Sequence, residues 1–211
     1  MLRIIVTAAA PDLESIGRAA SVVRAGGVAA IPTDTLYGLA ANPFDVAAIS
    51  RLFTIKRREL EKAIPLVAAD VAQVEAAIGR LPPLGVRLAR AFWPGPLTLV
   101  MRAPEALAVE VTGGTGTVGV RVPACEVTRA LCAAAHVPLT ATSANISGEP
   151  PTNLPDQVAA SLGASLDVLV DSGPTAGGPP STIVDVTGHE PRLIRAGAIT
   201  WDAVLAAARA K

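Results

Sequence analysis

The chain has 211 residues, with 18 basic and 18 acidic side chains; 51% of it is hydrophobic and only 3% aromatic. So apolar a composition excludes disorder, and the even charge argues against a nonspecific nucleic-acid binder, which draws on a basic excess. The length suits one domain, taken as residues 1–211, with a core of Ala, Val, Leu and Ile.

In chain order, residues 1–7 are too short and too strand-like for a signal peptide, and residues 3–6 read as a strand. Asp12 is placed to cap a helix carrying Ile16, Ala19, Ala20 and Val23 on one face, and Gly26-Gly27 stops it. Residues 28–31 form a short buried strand that delivers the loop Pro32-Thr33-Asp34-Thr35-Leu36-Tyr37-Gly38. Asp45 starts a helix bearing Ile49, Leu52 and Phe53, which runs into Lys56-Arg57-Arg58. Residues 64–68 read as a strand, and 70–78 and 84–92 as helices. Trp93-Pro94-Gly95-Pro96 is a rigid break before a strand at 97–101. Residues 118–122 read as a strand, 125–135 as a helix and 139–142 as a strand. A helix at 155–162, strands at 168–170, 182–186 and 193–195, and a helix at 200–209 follow.

Strands interleaved with helices predict α/β layering, and the late strands joined by short turns predict a mixed sheet. The Pro/Gly-rich segment 173–180 is the longest irregular piece and the candidate mobile loop. No uncharged run of about 18 apolar residues occurs, so no membrane span is expected. Cys125 and Cys132 lie seven apart on one predicted helix, where they cannot pair, which points to a reduced cytoplasmic protein.

The segment Thr140-Ala141-Thr142-Ser143-Ala144-Asn145-Ile146-Ser147-Gly148 fits neither an amphipathic helix nor an ordinary strand. Its hydroxyls, amide and glycine leave room for a ligand to approach the backbone. Lys56-Arg57-Arg58, extended by Lys62, reads either as a solvated last helical turn, where cations favour the dipole, or as an anion site. Arg121 stands mid-strand between Val120 and Val122, where a charge must face solvent, a pocket or a partner anion. Its guanidinium suits bidentate capture of a carboxylate or phosphate; Arg195, before Gly197, has the same readings.

Gly114-Thr115-Gly116-Thr117-Val118-Gly119 formally matches the dinucleotide fingerprint, but a strand and Pro123 follow where a helix must open. Residues 133–142 also lack the acid that should bind a ribose. A Gly/Thr loop offering N–H groups to phosphate remains. There is no P-loop, no metal-ligand spacing at His136 or His189, and no Ser-His-Asp arrangement. The islands together predict a site for an anionic, phosphate-bearing small molecule.

Seven islands in order resemble the YrdC-like family, the threonylcarbamoyl-adenylate synthases. They are Pro32-Thr33-Asp34-Thr35-Leu36-Tyr37-Gly38-Leu39; Lys56 with Arg58; Pro94-Gly95-Pro96-Leu97-Thr98; Gly119-Val120-Arg121-Val122-Pro123; Ser143-Ala144-Asn145-Ile146-Ser147-Gly148; Ser181-Thr182-Ile183-Val184-Asp185; and Arg195 with Gly197. The resemblance implies an α/β fold with a twisted open mixed sheet, flanking helices and a concave ligand cavity. It implies that L-threonine, bicarbonate and ATP give threonylcarbamoyl-AMP and pyrophosphate. The product passes to tRNA-modifying threonylcarbamoyl-transfer proteins acting at adenosine 37 of tRNA, with weak tRNA binding by the chain itself. A chain ending soon after the 200–209 helix resembles the family's short form.

On that resemblance, Lys56, Arg58 and Lys62 hold the triphosphate, Arg195 lies near the α-phosphate, and Thr117, Ser143, Asn145 and Pro151 complete the ATP site. Arg121 holds the threonine carboxylate, with Thr33, Thr35, Val67, Ala141 and Ser181 around it. Mg²⁺ accompanies the phosphates. Two positions depart from the pattern: Val67 stands where the family commonly has a His, and Glu59 replaces a Pro after Arg58. The competing expectations are an RNA-binding module with a basic concave surface and no catalysis, and a carbamoyl-adenylate enzyme acting on another amine.

Overall fold

A computed structural model describes residues 1–57 and 62–210. Helix ends follow the caps written in the sequence. Asp12 accepts from Ser15 N–H (2.8 Å) to open α1 (Leu13–Arg24), which buries Ile16, Ala19, Ala20 and Val23. Asp45 accepts from Ala47 and Ala48 N–H to open α2 (Val46–Lys56), and Asp70 does the same for α3 (Val71–Ala77) through Gln73 N–H. The other helices are α4 (Pro83–Phe92), the single turn α5 (Val109–Thr112), α6 (Glu126–Ala135), α7 (Pro155–Leu162) and α8 (Trp201–Arg209).

The strands are β1 (Leu2–Ile5), β2 (Ala29–Ile31), β3 (Gly38–Ala40), β4 (Leu66–Val67), β5 (Leu97–Arg102), β6 (Thr117–Arg121), β7 (Leu139–Thr140), β8 (Thr142–Ser143), β9 (Val168–Asp171), β10 (Thr182–Asp185) and β11 (Arg192–Arg195). They form two ladders, both mixed. One runs β1-β9-β2-β3-β8, the other β11-β10-β5-β6-β4-β7. In the first, β1, β9 and β2 are parallel and β3 and β8 antiparallel additions. In the second, β10 runs parallel to β5 and β4 parallel to β6, while the β5–β6, β10–β11 and β4–β7 pairs are antiparallel.

The strand expected over 139–142 is divided. Leu139 and Thr140 pair with β4 in one sheet; Thr142 pairs with Leu39 and Ser143 with Gly38 in the other. Ala141 sits at the crossover, its N–H on Pro65 O at 2.8 Å. The mixed sheet expected from the sequence is thus split into two, and this one segment stitches them together. The strand expected over 64–68 shrinks to the two residues paired with both β6 and β7, with Ala68 N–H still donating to Arg121 O (2.9 Å) just beyond them. Strand β3 was not expected: Gly38-Leu39-Ala40 has little strand propensity and is held by pairing with β2 and β8.

Aliphatic side chains fill both cores, as the scarcity of aromatics requires. One core lies against α2, α3 and α4; the other sits between β1, β2 and the packed pair α1 and α6. Cys132 is fully buried in the second, with its Sγ 3.4 Å from Val67 O, whereas Cys125 is partly exposed. Burial pushes the Cys132 thiol up from 9.0 to about 12. The neutral thiol is therefore favoured in the folded chain. Its contribution to stability is fully present below pH 9 and is lost as pH rises toward 12. We expect alkylation of the native protein near pH 8 to modify Cys125 alone, with Cys132 reacting only in denaturant; intact mass reads the result, and a second adduct under native conditions would contradict it.

Candidate functional site

The seam between the two sheets opens into a cavity of about 340 Å³. Thr33, Thr35 and Tyr37 approach from the loop between β2 and β3, and Pro65 and Val67 from β4 and the residue before it. Thr98 on β5 and Arg121 on β6 enter from the strands, and Ala141 and Ser143 from the crossover. Ser181, Ile183 and Arg195 close the remaining side. Two glycines make room for this convergence. A Cβ at Gly119 would stand 3.0 Å from Thr98 Cγ2, and one at Gly197 would stand 2.3 Å from Pro180 O. The second would clash with backbone, so the return of the chain after β11 requires glycine.

Arg121 is the central charge. It is 8% exposed, with Nη1 3.1 Å from Asp34 Oδ2. Burial lowers its pKa; Asp34 pushes it back up, and the positive charge of Arg195 adds to the lowering. An arginine stays protonated through such shifts, so both guanidiniums at the cavity remain cations, and Asp34 is the carboxylate paired with Arg121. Arg195 is fixed by Ser181: Nη2 donates to Ser181 O (2.8 Å) and to its Oγ (3.1 Å). Ser181 Oγ also meets Thr98 Oγ1 at 2.9 Å, which explains a buried threonine in an otherwise apolar strand.

The loop 143–148 has its own scaffold. Lys56, the last residue of α2, is 1% exposed. Its Nζ donates to the carbonyls of Ser143 and Asn145 and to Asn145 Oδ1. Ser147 N–H returns a bond to Lys56 O at 2.8 Å. The negative end of the α2 dipole and a set of oxygens thus replace the water this ammonium has lost. Asn145 is used up within the loop: Oδ1 also accepts from Ser143 Oγ, and Nδ2 donates to Glu149 O (2.6 Å) and Ile146 O (3.0 Å).

Tyr37 ties the loops to one another. Its Oη donates to Gly173 O (2.7 Å), its N–H to Thr152 O, and its carbonyl accepts from Ala144 N–H. The segment 173–180, expected to be mobile, is anchored further by Gly177 N–H and Thr175 Oγ1, both donating to Thr35 O.

All six residues expected around threonine (Thr33, Thr35, Val67, Arg121, Ala141 and Ser181) line this one cavity. Of those expected around ATP, Ser143 and Arg195 line it as well. Lys56 and Asn145 do not: both lie behind Ser143, with their polar atoms turned to the loop backbone. Thr117 begins β6 two residues short of Gly119, outside the lining, where its hydroxyl meets that of Thr115 at 3.0 Å. Lys62 directly precedes the lining residue Ala63, and Pro151 is exposed beyond the 143–148 turn. Arg58 and Glu59 lie outside the described residues.

Val67 enters from a two-residue strand; its side chain belongs to the second core and its carbonyl accepts from Cys132 Sγ. Thr98, Tyr37 and Asp34 stand inside islands singled out in the sequence but were given no role there. A lone hydroxyl in the otherwise apolar residues 97–101 was the available signal for Thr98, and the single tyrosine in a loop for Tyr37.

Guanidiniums and hydroxyls around a cavity recognise an anion and hold it in place. Among the described residues lining the cavity no neighbouring nucleophile and general base occur, and its guanidiniums and hydroxyls suit positioning and charge stabilisation. Among the described residues no cluster of three His, Cys, Asp or Glu is placed to hold a metal, and no helix is long and apolar enough to cross a membrane.

Residues 21–197 match the Sua5/YciO/YrdC family, described as "telomere recombination". A Pyrococcus abyssi protein named threonylcarbamoyl-AMP synthase is 37% identical over 186 residues, covering 88% of this chain and 55% of that protein. One of the same name from Bacillus subtilis is 36% identical over 190 residues, covering 90% and 55%. The chain spans about half the length of these two relatives. The crystal structure of P. abyssi Sua5 complexed with L-threonine superposes with a TM-score of 0.91 at 35% identity, over 98% of this chain and 61% of that one. By sequence and by fold, the chain belongs to the Sua5/YciO/YrdC family.

Proposed function

We propose that the chain is a nucleotidyltransferase that forms threonylcarbamoyl-AMP and pyrophosphate from L-threonine, bicarbonate and ATP. The observation that carries this reading is the convergence of the six threonine-site residues on one cavity around a buried guanidinium. The relatives named threonylcarbamoyl-AMP synthase, and the similar Sua5 protein complexed with L-threonine, support it. Two cations that a basic RNA-binding surface could display, Arg121 and Arg195, instead line a cavity of small-molecule size.

In this reading the threonine amine attacks bicarbonate, forming the N–C bond of a carbamate and releasing water. A carbamate oxygen then attacks the α-phosphorus of ATP in line, and the bond to the β-phosphate oxygen breaks to release pyrophosphate. Arg121 holds the threonine carboxylate, and Arg195 stands where charge grows on the α-phosphate. Ser143 presents the nucleotide wall that Lys56 and Asn145 keep in shape, while Arg58, Lys62, Thr117 and Pro151 complete the ATP side. Mg²⁺ enters on the ATP phosphates, as part of that substrate, and screens the leaving charge. The product is a labile mixed anhydride, handed to proteins that transfer the threonylcarbamoyl group to adenosine 37 of tRNA, and the reaction is placed in the cytoplasm.

The test is incubation with ATP, isotope-labelled bicarbonate and L-threonine, followed by mass analysis. The expected result is threonine-dependent pyrophosphate release and a labelled threonylcarbamoyl-AMP. ATP consumption indifferent to threonine, or an adenylate of a different amine, would overturn the reading.

A further inference from the structure

We infer that Asp34 is a positioning residue for Arg121: anchored to the start of α6, its carboxylate grips one side of the guanidinium and leaves the other for the substrate carboxylate. The inference rests on the threonine reading of Arg121 given above. Thr33 and Thr35 line the cavity, but Asp34 between them does not; its side chain turns behind the lining and is nearly buried.

Both carboxylate oxygens have a distinct contact. Oδ1 accepts from Cys125 N–H at 2.7 Å, at the N-cap of the ten-residue helix α6. Oδ2 lies 3.1 Å from Arg121 Nη1, yet it is the one buried side-chain oxygen or nitrogen among the described residues with no hydrogen-bond partner. Its compensation is the ion pair. The first contact prevents the carboxylate from rotating, and the second uses that rigidity to hold a long, flexible side chain. Pro32 O reinforces the anchor by accepting from Thr128 Oγ1 on the same helix. Asp34 thereby joins the loop that carries Thr33 and Thr35 to the strand end that carries Arg121.

Charge supplies the second half of the argument. Arg121 is buried and repelled by the exposed Arg195, so without Asp34 its guanidinium would sit in a desolvated place with no counter-charge given to it. With it, the trio carries one net positive charge, which a single α-carboxylate neutralises. An arginine offers five N–H donors in a planar fork, so engaging Nη1 still leaves donors for a bidentate carboxylate.

The test is Asp34→Asn, which keeps the size and an acceptor for Cys125 N–H but removes the charge. We expect the threonine KM to rise by about 10-fold or more, the scale of one charge-assisted hydrogen bond. The kcat at saturating threonine and the KM for ATP should stay within about threefold, and Asp34→Glu should recover most of the loss. Asp34→Ser, which retains a hydroxyl acceptor, should give the same split and serves if Asp34→Asn does not fold. A fall in melting temperature with an unchanged threonine KM would overturn the inference.

A second readout does not depend on the reaction. Arginine side-chain ¹⁵N NMR should show a slowly exchanging guanidinium signal in the parent protein, assigned by its loss in Arg121→Ala. That signal should vanish in Asp34→Asn and return in Asp34→Glu. If the parent protein uses no threonine, the functional reading falls while this signal still decides the role of Asp34. A signal unchanged in Asp34→Asn would overturn the inference.

Discussion

Arg121→Ala is expected to raise the apparent threonine KM by about 10- to 150-fold, because one charge-assisted hydrogen bond contributes about 1.5–3 kcal/mol. The side chain sits at the end of β6, beside Val67 in the adjacent strand, and lines the cavity together with every other residue assigned to threonine. Its loss also leaves Asp34 with Cys125 N–H as its remaining contact and no counter-ion in a nearly buried place. Removing one partner of a buried pair can cost about 3–5 kcal/mol, so the melting temperature falls as well. Arg121→Lys separates the two effects. It restores a cation for Asp34 but not the planar fork, so stability should largely return while threonine affinity recovers only in part. Titration of threonine at a temperature where circular dichroism shows a folded chain reads the outcome. Wild-type threonine affinity in folded Arg121→Ala would remove Arg121 from the site.

Lys56→Met is the second large effect. Its Nζ satisfies the carbonyls of Ser143 and Asn145 and the Asn145 side-chain oxygen, and it is almost entirely out of solvent. A methionine fills the channel but donates nothing. Asn145 Oδ1 keeps Ser143 Oγ and Ser143 O keeps Asn145 N–H, while Asn145 O loses its donor, at a cost of about 1–3 kcal/mol if the loop stays in place. For a chain of this size about 1 kcal/mol corresponds to about 2–4 °C, which gives a drop of roughly 2–12 °C. If the loop moves instead, the thermal loss is smaller and the Ser143 wall of the cavity is deformed, so ATP use falls. Lys56→Arg should not rescue, because a planar fork does not fit a pocket shaped for a compact ammonium. Calorimetry with a parallel ATP-consumption assay distinguishes these outcomes, and a variant unchanged in both would show that Lys56 organises nothing.

Local signals carried far in this chain. Asp12, Asp45 and Asp70 each mark a helix start because a carboxylate satisfies N–H groups that the first turn leaves open. Pro155 opens α7 and Thr200 opens α8 on equally local grounds. The rejection of the dinucleotide fingerprint also rested on local context, and strand β6 does follow Gly116. Where strand length depended on neighbours, local reading failed. Residues 64–68 keep two strand residues and residues 139–142 split between sheets, because a strand exists only where another lies beside it.

The site divides in the same way. Arg121 was marked by a charge inside an apolar strand, and residues 140–148 by a density of small polar groups, both visible without coordinates. Residue type alone could not say which polar atoms face the cavity and which face the protein. Lys56, Arg121 and Arg195 are all cationic and all sit at the ends of regular elements. Packing turns Lys56 inward onto the backbone oxygens of the 143–148 loop, and brings Arg121 and Arg195 to the lining of one cavity. Nor could any spacing rule pair Asp34 with Cys125 N–H and Arg121, residues about 90 positions away. Local residue patterns sufficed for most elements, their caps, the aliphatic core and the two arginines at the cavity, because these follow from interactions within a few residues. The division into two sheets, the cavity at their seam and the partner of each charge came from long-range packing. Those depend on which distant segments meet, and burial there makes every unpaired polar atom costly.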